Sequence, residues 1–270
     1  MTPLSANINV MVKAADKAAR RLRRDFGEIE KLQVSKKGPA DFVSAADLTA
    51  EKIIREELSH ARPDYGFLME ESGETEGRNN DSDKRWIVDP LDGTSNFLHG
   101  LPHWAISIAL EERGQIVAGV IFDPIKNELF QAEKGAGAFL NDRRIRASSR
   151  RRLDECLVAT GAHYLGHGNR DVFLREADLV MAATAGIRRW GTASLDLAYV
   201  AMGRYDGFWE RGLSPWDVAA GIIILREAGG MVSEIGGKAI RLNSPSILAG
   251  NEHTQFALLK LLRQAKQKAD

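Results

Sequence analysis

The chain has 270 residues, of which 44% are hydrophobic, enough for one large or two smaller domains with a substantial core. Its 37 basic residues balance 37 acidic ones, so net charge gives no reason to expect nucleic acid or an anionic membrane as a partner. The single cysteine, Cys156, excludes an intrachain disulfide, and its apolar surroundings favour a buried structural thiol over a nucleophile. The N-terminal ten residues lack a signal-peptide pattern and the apolar runs are too short for a membrane span, so a cytoplasmic protein is expected.

The first 63 residues contain two predicted helices separated by a loop. Ala14, Ala18 and Leu22 recur every fourth residue, which predicts a helix over 5–26 that Gly27 ends. The polar segment 28–43 contains Gly and Pro and is predicted to be a loop. A second helix is expected over 44–61, ahead of a proline.

Basic side chains line the other face of the first helix. An exposed face neutralised by acidic neighbours is one interpretation, and a docking surface for an acidic partner is the other. These side chains are Lys13, Lys17, Arg20, Arg21 and Arg24.

The middle of the chain shows a period of two. Large residues at 104, 106, 108 and 110 alternate with small ones, and the runs IVAGVIF and ELFQAE follow, which predicts antiparallel strands. After about residue 146, short apolar strands alternate with helical stretches, as in α/β folds. We therefore expect an α+β domain over 1–145 and an α/β domain over 146–270, with the active site in the cleft between them.

The segment WIVDPLDGTSNF, residues 86–97, carries the most chemical information. A buried strand is expected to end at Val88, where Pro90 would force a turn. That turn would direct the carboxylates of Asp89 and Asp92 and the carbonyl of Leu91 toward one point. An all-oxygen set of this kind suits Mg²⁺ better than Zn²⁺.

A short helix is predicted directly after these carboxylates. Free amides at a helix start bind anions, so Gly93 and Thr94 could hold a phosphate. An Asp-Pro turn followed by a helix cap is the structural alternative. Aspartyl-phosphate phosphatases carry D-x-D-G-T, and Pro90 stands where their nucleophile would be. Walker A and dinucleotide-binding patterns are absent from the sequence.

The sequence resembles the inositol monophosphatase family of lithium-sensitive, metal-dependent phosphatases, especially its bacterial branch. WIVDPLDGTSNF matches the first signature of that family and WDVAAG at 216–221 matches the second. MEES at 69–72, KKGPADFVSAAD at 36–47 and WGTASLDLAYVA at 190–201 also match in order. The resemblance implies a layered αβαβα sandwich of the inositol monophosphatase and fructose bisphosphatase type, and a homodimer.

The resemblance also implies roles for individual residues. Glu70, Asp89 and the Leu91 carbonyl would bind one Mg²⁺, and Asp89, Asp92 and Asp217 a second. Asp47 and Thr94, with Glu70, would help to orient and activate the attacking water. The remaining implied substrate contacts are Asp92, Gly93, Thr94, Ala193, Glu210 and Asp217.

The expected function is Mg²⁺-dependent hydrolysis of inositol monophosphate by metal-activated water. A sugar, histidinol or nucleotide phosphatase of the same family is the alternative within enzymes. A non-catalytic binding protein that uses the basic helix and the arginines at 150–152 is the alternative outside them. Ala46 precedes Asp47 where many relatives have Thr, and Met69 precedes Glu70 where Gly is frequent, but every metal-ligand position is present.

Overall fold

A computed structural model describes residues 5–29, 34–38, 41–78, 83–162 and 168–267. The helices are α1 (Ala6–Phe26), α2 (Ala45–Ala61), α3 (Thr94–Leu98), α4 (Arg170–Ala183), α5 (Ala193–Ala201), α6 (Pro215–Glu227) and α7 (Glu252–Gln267). The first strands are β1 (Val34–Gly38), β2 (Asp41–Ser44), β3 (Gly66–Met69), β4 (Gly73–Thr75), β5 (Lys84–Asp92), β6 (Ala105–Glu112), β7 (Gln115–Asp123) and β8 (Glu128–Glu133). The later strands are β9 (Gly137–Leu140), β10 (Arg143–Arg144), β11 (Leu157–Thr160), β12 (Gly186–Arg188), β13 (Gly207–Arg211), β14 (Met231–Ser233) and β15 (Ser246–Gly250).

Helices α1 and α2 begin at serine caps. Ser5 accepts a hydrogen bond from the Ile8 amide at 3.2 Å, and Ser44 forms a capping box with Asp47. The predicted apolar stripe of α1 is buried, and Gly27 follows the helix as expected. Residues 1–4 lie outside the described chain. The two helices pack side by side and together cover one face of the larger sheet.

The larger sheet has the strand order β10-β9-β8-β7-β6-β5-β3-β4, and only β3 and β5 pair in parallel among these neighbours. The alternation of large and small residues predicted around residue 106 directs the side chains of β6 into two different cores. Ile106 and Ile108 belong to the core under α1 and α2, whereas Ala105 and Ala109 face the core formed with α5 and α6. Both faces of this strand are therefore buried, with small residues where α6 approaches most closely.

Helix α6 lies directly against β7 at Gly119. A Cβ added to Gly119 would lie 2.6 Å from Ile223 Cγ2 and 2.9 Å from the Ala220 carbonyl oxygen, closer than real contacts allow. Glycine is therefore required here by the close approach of a helix to a strand. This contact limits the distance between α6 and β7.

The smaller sheet has the order β12-β11-β13-β15-β14. Helices α5 and α6 fill the space between the two sheets, and α4 and α7 cover the outer face of the smaller one. The layers are therefore helix, sheet, helix, sheet, helix, and the predicted αβαβα sandwich is confirmed. No helix in the described part of the chain is long and apolar enough to cross a membrane.

Several local predictions were incomplete or wrong. Segment 28–43 is not all loop, because β1 and β2 form an antiparallel pair within it; residues 30–33 and 39–40 lie outside the described chain. Helix α4 was not predicted, since its charged sequence shows little periodicity. The sheets change between β10 and β11, near the predicted boundary at 145, but α6 contacts the first sheet from the second half. The division into two domains stays a prediction.

Candidate active site

Strand β5 does not end at Val88 but continues through Pro90 to Asp92. Asp89 pairs with Ser107 of β6 and Asp92 with Ala105, and the register shifts between these two pairs. Proline has no amide hydrogen to donate to the neighbouring strand, so an irregularity at Pro90 is expected. The predicted turn is therefore a bulge, and it still places the buried Asp89 and Asp92 at the same end of the sheet.

The bulge is fixed by hydrogen bonds from its own main chain. The Leu91 amide donates to Asp89 Oδ1 at 2.9 Å, and the Leu91 carbonyl lies 3.0 Å from the Thr94 hydroxyl. Gly93 adopts a positive φ of 96°, and a Cβ there would lie 2.7 Å from Thr192 Oγ1. Only glycine fits this tight entry into α3.

Thr94 and Asp47 meet as the sequence predicted. The Thr94 hydroxyl donates to Asp47 Oδ1 at 2.9 Å, across 47 residues of sequence. The other oxygen of Asp47 accepts from the Ser44 amide at 2.9 Å and the Ser44 hydroxyl at 2.6 Å. Burial raises the pKa of Asp47, and these hydrogen bonds oppose the rise. The start of α2 is thus linked to the start of α3.

Glu70 follows β3 and lies beside Asp89. Its amide donates to the Val88 carbonyl at 3.2 Å, and its carboxyl shares a hydrogen bond with Asp89. The next amide, that of Glu71, donates at 2.9 Å to Glu51, a buried carboxylate on α2. The sequence analysis did not identify Glu51, because its hydrogen bond to the segment beside Glu70 joins residues 20 positions apart.

Asp217 approaches the same place from α6. It occupies the third position of this helix, where its Oδ2 accepts from the Ser214 amide at 2.7 Å in a capping box. Asp217, a site residue implied by the resemblance, therefore also caps the helix that carries it. Pro215 fits the first turn because its missing amide hydrogen is not needed there.

The four carboxyl groups influence one another strongly. Burial raises the pKa of Asp89 well above its usual value, and the neighbouring carboxylates raise it further. Those neighbours are Glu70, Asp92 and Asp217. Burial also raises the pKa of Asp92 to about 6, against hydrogen bonds from Ser194, and it raises the pKa of Asp217. Repulsion of this kind favours protonation or a bound cation.

The donor set fits a hard cation such as Mg²⁺, since it consists of carboxylate oxygens and the Leu91 carbonyl and includes no sulfur or imidazole. Among the described residues, no three such side chains already surround one point at ligand distance. Each carboxylate is turned toward a hydrogen-bond donor or, for Glu70 and Asp89, toward the other carboxyl. A cation would replace the hydrogen bond between Glu70 and Asp89 and draw these oxygens together.

A second group of residues faces the carboxylates from the smaller sheet and α5. Asp92 Oδ2 accepts from the Ser194 amide at 2.8 Å and from its hydroxyl, and the carboxyl also accepts from the Ala193 amide. Glu210 accepts from the Gly161 amide. Burial raises the pKa of Glu210 to about 8, and the charge of Asp92 contributes. The start of α5 thus places Ala193 beside Asp92, and the substrate contact that the resemblance implies for Ala193 stays a prediction.

A cavity of about 360 Å³, large enough for a small phosphorylated ring, adjoins this group of residues. Its lining includes Glu70, Gly161, Glu210 and Asp217. One further carboxyl near it was not predicted: Asp196 is buried, and its Oδ1 has no hydrogen-bond partner within the described chain. Burial raises the pKa of Asp196 well above its usual range, with Glu210 adding to the effect. Ser194 and Asp196 lie within WGTASLDLAYVA, so only that segment pointed to them.

The sequence profile of the inositol monophosphatase family matches residues 4–267. The chain belongs to this family. It is 58% identical over 260 residues to an inositol-1-monophosphatase of Mesorhizobium japonicum, covering 96% of this chain and 97% of that protein. It is 42% identical to a protein of Pseudomonas aeruginosa named Nus factor SuhB, with 95% of each covered. The crystal structure of extragenic suppressor protein suhB from Bartonella henselae has a TM-score of 0.93 at 58% identity, over 96% of this chain and 99% of that one.

These matches confirm the family and the fold that the resemblance predicted. They also confirm that the protein is an enzyme of a phosphatase family. The structure places the site residues implied by the resemblance around one end of β5, and Glu70, Glu210 and Asp217 among them line the adjoining cavity. We propose roles for those residues, a metal and a substrate below.

Proposed function

We propose that this inositol monophosphatase family member hydrolyses inositol monophosphate to inositol and phosphate with Mg²⁺. The observation that carries the proposal is the grouping of four acidic side chains beside the Gly93–Thr94 helix start, two of which, Glu70 and Asp217, line the cavity. The name of the relative from Mesorhizobium japonicum supports inositol monophosphate as the substrate. The proposed metal ligands are Glu70, Asp89, Asp92, Asp217 and the Leu91 carbonyl.

Bound Mg²⁺ would supply a nucleophilic water at neutral pH and stabilise the charge of the leaving oxygen. The amides of Gly93 and Thr94 would hold the phosphate. Since the Thr94 hydroxyl donates its hydrogen to Asp47, its lone pairs are free to accept from a water and orient it for in-line attack. Glu70 would help to activate that water. Ala193 and Glu210 would contact the polyol on the opposite side.

The proposed mechanism is direct attack by water without a phosphoenzyme. Pro90 occupies the place of the nucleophilic aspartate of D-x-D-G-T phosphatases, and Cys156 is buried with its thiol 3.1 Å from the Arg152 carbonyl. Burial raises the pKa of the Cys156 thiol, which disfavours the reactive thiolate. A single turnover in heavy-oxygen water should place the label in released phosphate. Label in Asp89 or Asp92 would contradict direct attack.

The dependence on Mg²⁺ is tested by measuring turnover after chelation and after Mg²⁺ is added back. Activity should be lost and then restored, and Ca²⁺ should not restore it because its larger radius and looser geometry suit this chemistry poorly. Li⁺ at millimolar concentration should inhibit at high Mg²⁺, as the resemblance implies, by occupying the site formed by Asp89, Asp92 and Asp217. Turnover without divalent cations would contradict the assignment.

A broad-specificity sugar, histidinol or nucleotide phosphatase is the alternative within the same family. Measuring kcat/KM across a panel of phosphate monoesters distinguishes these substrates. Inositol 1-phosphate should rank first, because Glu210 offers a buried oxygen acceptor to a polyol hydroxyl. A nucleotide or histidinol phosphate that ranks above it would identify the alternative instead.

A non-catalytic binding role is less well supported by the basic surface than the sequence suggested. Lys13 and Lys17 lie 3.0 Å and 2.5 Å from Glu57. On α1, Arg20 pairs with Asp16 and Arg21 with Asp25; elsewhere Arg150 pairs with Asp206 and Arg152 with Asp154. Much of this charge is therefore matched within the protein. The P. aeruginosa relative is named Nus factor SuhB, so a test for a stable protein complex by analytical ultracentrifugation in cell extract, run beside the turnover assay, compares the two roles.

A homodimer in the cytoplasm is part of the same proposal and is supported by the family resemblance. Light scattering on the purified protein should give about twice the mass of 29.8 kDa. A mass equal to one chain at micromolar concentration would contradict the dimer.

A further inference from the structure

Glu210 and Gly161 are neighbours because β11 and β13 run parallel. Thr160, the last residue of β11, pairs with Trp209 of β13, so Gly161, which follows β11, lies beside Glu210, which is still within β13. The Thr160 hydroxyl donates to the Trp209 carbonyl at 2.8 Å and reinforces this register. Both residues line the cavity.

The carboxyl of Glu210 occupies the space where a side chain on Gly161 would be. A Cβ added to Gly161 would lie 1.7 Å from Glu210 Oε1 and 2.0 Å from its Cδ, well inside any permitted contact. The Gly161 amide also donates a hydrogen bond to this carboxyl. Gly161 therefore leaves room for the carboxyl and supplies a donor that holds it there.

We propose that Gly161 is the positioning residue for substrate selectivity, acting through Glu210. The inference rests on the proposed function, since Glu210 must accept a hydrogen bond from a hydroxyl of the substrate. With one donor supplied by the Gly161 amide, a carboxyl oxygen of Glu210 is held in a defined direction for a hydroxyl of the polyol. A fixed acceptor discriminates between substrates more strongly than a mobile one, because an ester without the hydroxyl leaves that oxygen without its substrate donor.

A side chain at Gly161 should displace Glu210 without disrupting the fold. Gly161 does not have a positive φ, so alanine fits its backbone conformation without strain. The three closest atoms to the added Cβ all belong to the Glu210 carboxyl group, the far end of a flexible side chain. Rotation of Glu210 can therefore relieve the contact, and its carboxyl would leave the Gly161 amide.

The test compares inositol 1-phosphate with phenyl phosphate, which has no ring hydroxyls. The variants are Gly161→Ala, Glu210→Ala and the double variant, assayed at saturating Mg²⁺. In Gly161→Ala the ratio of kcat/KM for inositol 1-phosphate over phenyl phosphate should fall about tenfold, mainly through KM. The double variant should match Glu210→Ala alone, because both changes remove the same carboxyl oxygen from the substrate hydroxyl.

Gly236→Ala is the matched control. A Cβ at Gly236 meets no atom within 4 Å and its φ is not positive, so this variant should keep the wild-type ratio and melting temperature. An unchanged ratio in Gly161→Ala, or effects of the two changes that multiply in the double variant, would overturn the proposal.

Failure of the substrate assignment is separable from failure of this inference. If wild-type enzyme prefers another hydroxyl-bearing ester, that ester replaces inositol 1-phosphate in the ratio and the role of Gly161 is tested on it. If the wild-type enzyme does not favour any hydroxyl-bearing ester over phenyl phosphate, the positioning role is wrong.

Discussion

Two groups of residues beside the cavity are built in different ways. The metal wall is our name for the proposed cation ligands, of which Glu70 and Asp217 line the cavity and Asp89 and Asp92 lie next to them. Asp89 and Asp217 are held by donors close in sequence, Leu91 and Ser214, whereas Asp92 is held by Ser194 across 102 residues. The polyol wall is our name for Gly161 and Glu210, which line the cavity, together with Ala193 beside Asp92. It depends on a contact across 49 residues, between Gly161 and Glu210, which can be altered without removing the local hydrogen bonds of Asp89 and Asp217.

Asp89→Asn should give the largest effect, because Asp89 is shared between both proposed cation sites. We expect kcat to fall by about 10³-fold or more, since one member of a cooperating set is lost. Steady-state turnover with saturating Mg²⁺ measures it. Asp154→Asn, which changes an exposed carboxylate paired with Arg152, is the control and should retain wild-type turnover. A loss below tenfold in Asp89→Asn would sink the metal assignment.

Thr94→Val tests whether the metal wall also orients the water. The change keeps the shape of the side chain but removes the hydroxyl that bonds Asp47, so kcat should fall about 10²-fold with a smaller change in KM. Thr184→Val is a suitable control, since it removes a hydroxyl that donates to the Val180 carbonyl far from the site. A rise in KM with kcat unchanged would restrict Thr94 to phosphate binding.

Ser194→Ala tests the point where the two walls meet. Ser194 donates from its amide and hydroxyl to Asp92, 102 residues earlier, and alanine removes only the hydroxyl bond. We expect kcat to fall about tenfold for every ester, because a bond to a charged group of about 1.5 kcal/mol is lost. Ser149→Ala changes an exposed serine and should have no effect. A loss confined to inositol 1-phosphate would place Ser194 on the polyol wall.

The smallest expected effect concerns stability against pH. Burial raises the pKa of Glu210 to about 8 from an unfolded value of 4.5, so the folded protein binds a proton that the unfolded chain releases between these pH values. This group stabilises the fold most below pH 4.5, and its contribution is lost as pH rises to about 8. The Tm of Glu210→Gln minus that of wild type should therefore be higher at pH 8.5 than at pH 5, by about a few degrees, measured by calorimetry without Mg²⁺. A constant difference in Tm would show that Glu210 is ionised throughout.

The grouping of the metal wall could be predicted from the sequence in part, because its residues lie in short recognisable segments; their role as metal ligands stays a prediction. Asp89, Asp92 and Gly93 fall within one signature, and Asp217 follows a Ser-Pro helix start. The bulge at Pro90 was not predicted, since it depends on pairing with β6. Asp89 and Asp92 nevertheless lie at the same end of the sheet, as a turn at Pro90 would also have placed them.

The polyol wall could not be derived in the same way. Nothing in the sequence around Gly161 marks it as a neighbour of Glu210, because their contact follows from the parallel pairing of β11 and β13. Glu51 and Asp196 were missed for the same reason: a buried acid on a helix looks like a surface charge until the packing is known. The antiparallel pair of β1 and β2 was hidden by a polar sequence.

The close contact at Gly119 constrains the position of α6. Helix α6 spans 13 residues, about 20 Å, and carries Asp217 in its first turn, while Gly119 bears against Ala220 and Ile223 slightly further along. A methyl group at Gly119 would collide with Ala220 and Ile223, so that strand β7 and helix α6 could not keep their present separation. A position on an inner strand of the larger sheet, outside the residues that line the cavity, therefore constrains the helix that carries Asp217.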